Sequence, residues 1–173
     1  LWQVSWARDV YKRQATNTGA APVTATITVT PTANGCTGAP VQYTITVNPT
    51  PTMTAPANIT VCNGDPIPAS NFTSTPGGGT FAWTNSDPTI GLAANGTGNT
   101  PAFNAINAGS APVTATRTIT PTVNGCAGTP VNYTITVNPG AIANVPGNIT
   151  VCDGDQVPAS AFTSTPAVSY THL

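Results

Sequence analysis

Residues 15–167 carry only five charged side chains: Asp65, Asp87, Asp153, Asp155 and Arg117. Glu, Lys and His are missing from that stretch, and its only thiols are Cys36, Cys62, Cys126 and Cys152. Catalysis needs a positioned base, an activated nucleophile or a metal cluster. Scattered aspartates in turn-forming sequence supply none of these, so the chain is expected not to be an enzyme. Calcium prefers six or more oxygen ligands. Asp153-Gly154-Asp155 and its counterpart Asn63-Gly64-Asp65 make Asp65, Asp153 and Asp155 the metal candidates, with thin provision. A turn explains the same residues, because an Asp side chain accepts from nearby backbone N–H groups. No other cofactor is expected. Trp83 is either a sugar-stacking platform or a core residue, and its place on an alternating strand favours the core.

The elements that hold these residues recur. Residues 15–77 align without a gap on residues 105–167, an offset of 90, and 42 of the 63 aligned positions are identical. Cys36 falls on Cys126 and Cys62 on Cys152. A period this long indicates domain-sized repeats in series. The divergent stretch after Pro49 and after Pro139 marks the junctions. Residues 15–49 are then the back of one unit, 50–139 a whole unit and 140–167 the front of a third. Within the whole unit a Cys62–Cys126 disulfide would close a long loop and stabilise by roughly 4 kcal/mol. A Cys36–Cys62 and Cys126–Cys152 pairing would instead staple neighbouring units, and free thiols are the third possibility. Thiol pairs on a charge-poor surface suit an oxidising compartment.

The two ends depart from this composition. Residues 1–14 hold Trp2, Trp6, Arg8, Lys12 and Arg13, and residues 168–173 hold His172. One codon choice for Asp9 to Gln14 is, in reverse complement and a shifted frame, a coding sequence for Val168 to Leu173. Both ends resemble a translated transposon-end sequencing adapter and are set aside from the fold. The remainder is expected to be a fragment, its signal peptide lying outside. It has net charge −3 from one Arg and four Asp. Without a basic patch, nucleic acid is excluded as a partner. No apolar run reaches membrane-spanning length.

Alternation sets the fold class. Val23, Ala25, Ile27 and Val29 alternate with threonines, and Val41, Tyr43, Ile45 and Val47 alternate with polar residues. Period two predicts half-buried antiparallel strands. Asn34-Gly35 and Gly38 predict a hairpin with a longer loop. Residues 112–121 and 131–137 repeat the pattern, with Arg117 in place of Ile27, a peripheral position where its stem would snorkel over the core rim. Shorter strands are expected at Ile59 to Cys62, at Phe81 and Trp83, and at Ile90 and Leu92, with a loop at residues 95–99. Phe72, Phe81, Trp83, Ile135 and Val137 are the expected core, with Phe162 matching Phe72 in the next copy. Many short strands and no helical period predict an all-β, immunoglobulin-like antiparallel β-sandwich. Five Asn-X-Ser/Thr sequences, beginning with Asn58-Ile59-Thr60, are chance matches in a chain so rich in Asn and Thr.

Several segments carry a family likeness. Pro56-Ala57-Asn58-Ile59-Thr60-Val61-Cys62, the Phe81–Trp83 strand, the run from Asn85-Ser86-Asp87-Pro88 to Ala93, and Tyr133-Thr134-Ile135-Thr136-Val137-Asn138-Pro139 resemble the PKD-like repeats of large bacterial surface proteins. The front segment is also similar to hyalin-repeat domains. The resemblance implies immunoglobulin-like sandwiches in a long secreted or surface-exposed protein of a Gram-negative bacterium, often an adhesin. It brings no catalytic residues. The expected role is a spacer or stalk whose partners are neighbouring repeats of the same chain. The alternative is adhesion to surface glycans or proteins through loops 77–79 and 95–99.

Overall fold

The computed structural model describes residues 14–157, 163–165 and 167. Both adapter-like ends (save Gln14) and Phe162 lie outside the described residues.

Threonine and valine in strict alternation give extended backbone, and Asn-Gly pairs turn it. The first hairpin comprises β1 (Val23–Val29), β2 (Thr32–Ala33), β3 (Cys36–Thr37) and β4 (Val41–Val47). Its turn is tighter than the spacing suggests. Ala33 faces Cys36 across Asn34 (φ 49°) and Gly35 (φ 79°), a two-residue turn with both central residues left-handed. The extra residues form a kink behind it, closed by a Gly38 N–H bond to the Pro31 carbonyl at 2.9 Å.

The central body follows, at residues 51–138. It contains β5 (Ile59–Cys62), β6 (Pro66–Ile67), β7 (Thr80–Asn85), a 3-10 turn at Pro88–Ile90, β8 (Asn95–Thr97), β9 (Phe103–Asn104), β10 (Val113–Val123), β11 (Cys126–Ala127) and β12 (Val131–Asn138). The main sheet runs in the order β5-β12-β10-β7-β8, with β11 on the end of β10. The second layer is slighter: β6 pairs with β9, and isolated bridges join Thr52 to Thr75 and Ser70 to Thr100. The fold is all-β and matches the immunoglobulin-like sandwich expected from the alternation. One pairing departs from the antiparallel rule. β5 lies parallel to the edge of β12, with Ile59 opposite Ile135 and Cys62 opposite Asn138.

Two further expectations are corrected. Ile90 and Leu92 do not mark a strand. Asp87 caps a 3-10 turn there, accepting from the Thr89 N–H, and Gly91 leaves the turn at φ 96°. Residues 95–99 are not merely a loop, because Asn95–Thr97 pairs with β7. Gly96 permits this: a Cβ there would sit 2.2 Å from the Trp83 ring.

The core gathers Ile67, Phe72, Phe81, Trp83, Ile90, Leu92, Ala105, Ala115, Ile119, Tyr133, Ile135 and Val137. These residues come from both layers, and their burial supplies the main driving force. After the body, β13 (Ile142–Asn144) pairs with β14 (Thr163–Thr165), Ile142 opposite Thr165. The Thr52–Thr75 bridge occupies the aligned place in the central body.

Candidate functional site

Two places in the central body gather aromatic and polar side chains: one open to solvent, one buried. The first is an open groove of about 630 Å³ lined by Phe72, Gly79, Thr80, Phe81, Ala82, Thr97, Gly98, Asn99 and Thr122. It brings together the two loops that the sequence offers for adhesion. Thr80 and Phe81 reach it from β7, Thr122 from β10, and Thr97 from β8. Its floor is the Phe72–Phe81 pair, with ring centroids 5.6 Å apart and planes tilted by 56°. Both rings are largely buried. Asn99 is engaged: its Oδ1 accepts from the Phe72 N–H at 3.0 Å and its Nδ2 donates to Asn71 Oδ1 at 3.0 Å. The Thr80 hydroxyl leans on the Thr122 carbonyl at 3.5 Å. No charged side chain lines the groove. It is a neutral, hydroxyl-edged surface.

The second place is Arg117, and here the sequence reading is overturned. Arg117 is not peripheral; its relative exposure is 0 %. It occupies an inward position in the middle of β10, between Ala115 and Ile119. Its guanidinium carbon lies 4.4 Å from the Trp83 ring centroid and 5.6 Å from that of Tyr133. Nη1 donates to Thr100 Oγ1 at 2.8 Å and to Tyr133 Oη at 3.0 Å. Burial pulls the guanidinium pKa below the ordinary arginine value, and Tyr133 opposes that shift by charge interaction and hydrogen bonding. An arginine stays cationic in either case. Stacking against two aromatic faces replaces part of the lost hydration, and a desolvated cation–π contact is worth about 2 kcal/mol. The Nε and Nη2 groups and the Trp83 Nε1 have no hydrogen-bond partner among the described residues. Trp83 is accordingly a core residue, 5 % exposed, and does not offer a stacking face to solvent.

The aspartates serve turns. Asp65 Oδ2 accepts from the Cys62 N–H at 2.8 Å, and Asp155 Oδ2 accepts from the Cys152 N–H at 3.0 Å. Among the described residues no three His, Cys, Asp or Glu side chains gather as a metal site, so Asp65, Asp153 and Asp155 are not brought together. Asn107 is a buried polar residue that no sequence motif marks. Its Nδ2 donates to the Ala111 and Val137 carbonyls at 2.9 and 2.7 Å, and its Oδ1 accepts from the Gly109 N–H at 2.9 Å. Asn17 makes the same three bonds with Ala21, Val47 and Gly19. Identity of Asn and Gly at the 90-residue offset was the signal available.

The PKD-like domain family matches residues 11–51 and 59–141. The chain belongs to the PKD-like domain family. A comparison with curated proteins finds no match. PKD-like units are structural immunoglobulin-like modules, frequent in extracellular and surface proteins and typically without catalytic activity. Among the described residues no helix is long and apolar enough to cross a membrane.

The cysteines of this PKD-like chain are free thiols. Cys62 lies opposite Asn138, at the Val113 end of β10, while Cys126 lies opposite Val123 at its other end. At about 3.3 Å per residue the two are roughly 30 Å apart. A disulfide spans less than about 7 Å between Cα atoms. The Cys62–Cys126 bond, one of the three arrangements the sequence leaves open, is therefore not made; the linear spacing hid the fact that β5 and β11 dock at opposite ends of one long strand.

Proposed function

We propose that the chain is a non-catalytic spacer segment of a large secreted or cell-surface bacterial protein, adhesin-like, in which PKD-like units follow one another in series. The observation that carries this reading is the recurrence of one hairpin, in one register, once before the central body and once inside it. Val23 faces Val47 as Val113 faces Val137, and Val29 faces Val41 as Ile119 faces Val131. Arg117 is engaged in the core, and the carboxylates of Asp65, Asp87 and Asp155 are engaged in turns.

The neighbouring units are the partners under this reading, and nucleic acid is not among them. Small-angle scattering on chains with one, two and three added copies of residues 50–139 tests it. The maximum dimension should grow by a constant increment of roughly 35 Å per copy, the length of an eleven-residue strand such as β10. Copies that collapse into a compact particle would refute it.

The hydroxyl-edged groove favours one second reading, a glycan- or protein-binding module. Trp83→Ala is a poor probe of it, since it removes core. Thr80→Ala with Thr97→Ala changes the groove rim alone. Loss of a retained ligand on a glycan array, with folding intact, would support adhesion over spacing.

A further inference from the structure

Arg117 is the one cation of residues 15–167, and it lies at 0 % exposure with only neutral hydroxyls as hydrogen-bond partners. A charge held inside a protein is costly unless a counter-charge accompanies it. Stacking on Trp83 and Tyr133 offsets part of that cost, but an aromatic face gives the guanidinium N–H groups no lone pair. Three buried donors, Arg117 Nε, Arg117 Nη2 and Trp83 Nε1, have no partner among the described residues. Buried donors in a native interior are normally matched by an acceptor, from protein, water or ion.

The neighbouring groups add donors and no acceptor. Tyr133 Oη and Thr100 Oγ1 each accept from Nη1, so each keeps a hydroxyl hydrogen to give. Asn85, opposite Arg117 on β7, uses its amide elsewhere: Nδ2 donates to the Asp87 and Leu92 carbonyls and Oδ1 accepts from the Asp87 N–H. Arg117 faces Tyr133 across β10 and β12, and Ile119, the next inward residue, faces Trp83. The donors therefore share the inner face of one sheet. We propose that the central body binds a halide ion, chloride in ordinary salt, through Arg117 Nε and Nη2 and Trp83 Nε1, with the hydroxyl hydrogens of Tyr133 and Thr100 turned toward it.

Burial sets the class of ligand. Arg117, Thr100, Tyr133 and Trp83 are 0 %, 2 %, 3 % and 5 % exposed, so the ion sits inside the sandwich and must be monatomic. An oxyanion would bring several oxygens into a space that offers donors on one side only. A water would satisfy some of the donors, but it would leave the charge unbalanced and add two hydrogens of its own. Fluoride holds its hydration shell too strongly to enter, whereas chloride and bromide shed theirs at less cost. The aligned position in the preceding unit is Ile27, which carries no donor, so the site belongs to the central unit and not to the repeat as such. The inference is independent of the spacer reading.

Thermal unfolding of the full chain in mixtures of sodium bromide and sodium fluoride at one ionic strength tests it. An ion that binds only the folded state raises stability with the logarithm of its concentration, so each tenfold rise in bromide beyond half-saturation should lift the melting temperature by about 5 °C. General salt effects run the opposite way, because fluoride is the more strongly excluded ion. Arg117→Met should abolish the rise, and Tyr133→Phe, which deletes one hydroxyl donor, should reduce it. A second readout needs no change at the site. With Trp2→Phe and Trp6→Phe, Trp83 is the sole tryptophan, and a bromide in contact with its ring should quench its emission along a curve that saturates. A melting temperature that stays flat or falls with bromide, as an internal water would give, would overturn the proposal. So would a rise that persists in Arg117→Met, or quenching of Trp83 that is absent or never saturates.

Discussion

The hairpin of β1 and β4 and the hairpin of β10 and β12 have nearly one sequence and one register, yet opposite environments. Tyr133, Ile135 and Val137 are buried, whereas Tyr43 and Ile45 are 54 % and 44 % exposed. Even a side-chain bond repeats: Thr24 to Thr46 and Thr114 to Thr136, each at 2.9 Å. Alternation and the Asn-Gly turn therefore suffice for the ribbon. Burial is conferred by the segment 51–107, which lays Ile67, Phe72, Trp83, Ile90 and Leu92 over one hairpin and not over the other. A two-stranded ribbon alone is marginal in water, so the two halves of this chain should differ in stability far more than in sequence.

Matched substitutions exploit that contrast. The largest effect is expected from Ile135→Ala, which opens a cavity in the core and should cost about 2–5 kcal/mol in urea unfolding of the central body. Ile45→Ala should change the same transition by less than about 0.5 kcal/mol. Next come the paired glycines. A Cβ at Gly128 would meet the Pro51 carbonyl oxygen at 2.0 Å, while at Gly38 it meets only the Pro31 ring at 2.9 Å. Gly128→Ala should lower stability by about 1–3 kcal/mol through displaced backbone, and Gly38→Ala by clearly less, as thermal unfolding would report.

Arg117 sharpens the comparison, since its counterpart Ile27 is the largest chemical difference between the hairpins. Arg117→Lys keeps the charge but loses the planar stack on Trp83 and the placement of Nη1 between Thr100 and Tyr133, and should cost about 2 kcal/mol. Arg117→Met removes a buried charge with its volume kept and should lie within about 1 kcal/mol of the parent. Near-ultraviolet circular dichroism, which reads the Trp83 environment, would accompany both unfolding curves.

The smallest effect is a pH dependence. The Thr89 hydroxyl and N–H both donate to Asp87 and hold its carboxyl below the ordinary value of 3.8. A folded-state pKa below the unfolded one stabilises fully above the unfolded value and loses that contribution as pH falls through the folded one. Stability should therefore dip below about pH 4, and Asp87→Asn should flatten the dip in an acid titration of the melting temperature.

The all-β class, the strand pairs and the core aromatics were legible because period two and Asn-Gly turns are local signals. What escaped was set by partners distant in sequence. Arg117 reads as peripheral because a lone charge rarely enters a core. Only the joint presence of Trp83, Tyr133 and Thr100, gathered from three places in the chain, makes its burial tolerable. The parallel docking of β5 and the roughly 30 Å between Cys62 and Cys126 follow from which edge of β12 is open, and no window of sequence encodes that. Likewise Asn95–Thr97 has turn composition, and it pairs as a strand because Gly96 lets it approach Trp83. The groove's loops were visible as candidates; the engagement of Asn99 with Asn71 and Phe72 was not.

Amide hydrogen exchange on a dilute sample measures the central contrast most directly, comparing residues 41–47 with residues 131–137. If burial by segment 51–107 is what separates the hairpins, the amides around Ile135 should exchange about a thousandfold or more slowly than those around Ile45. Equal protection of the two hairpins would contradict it.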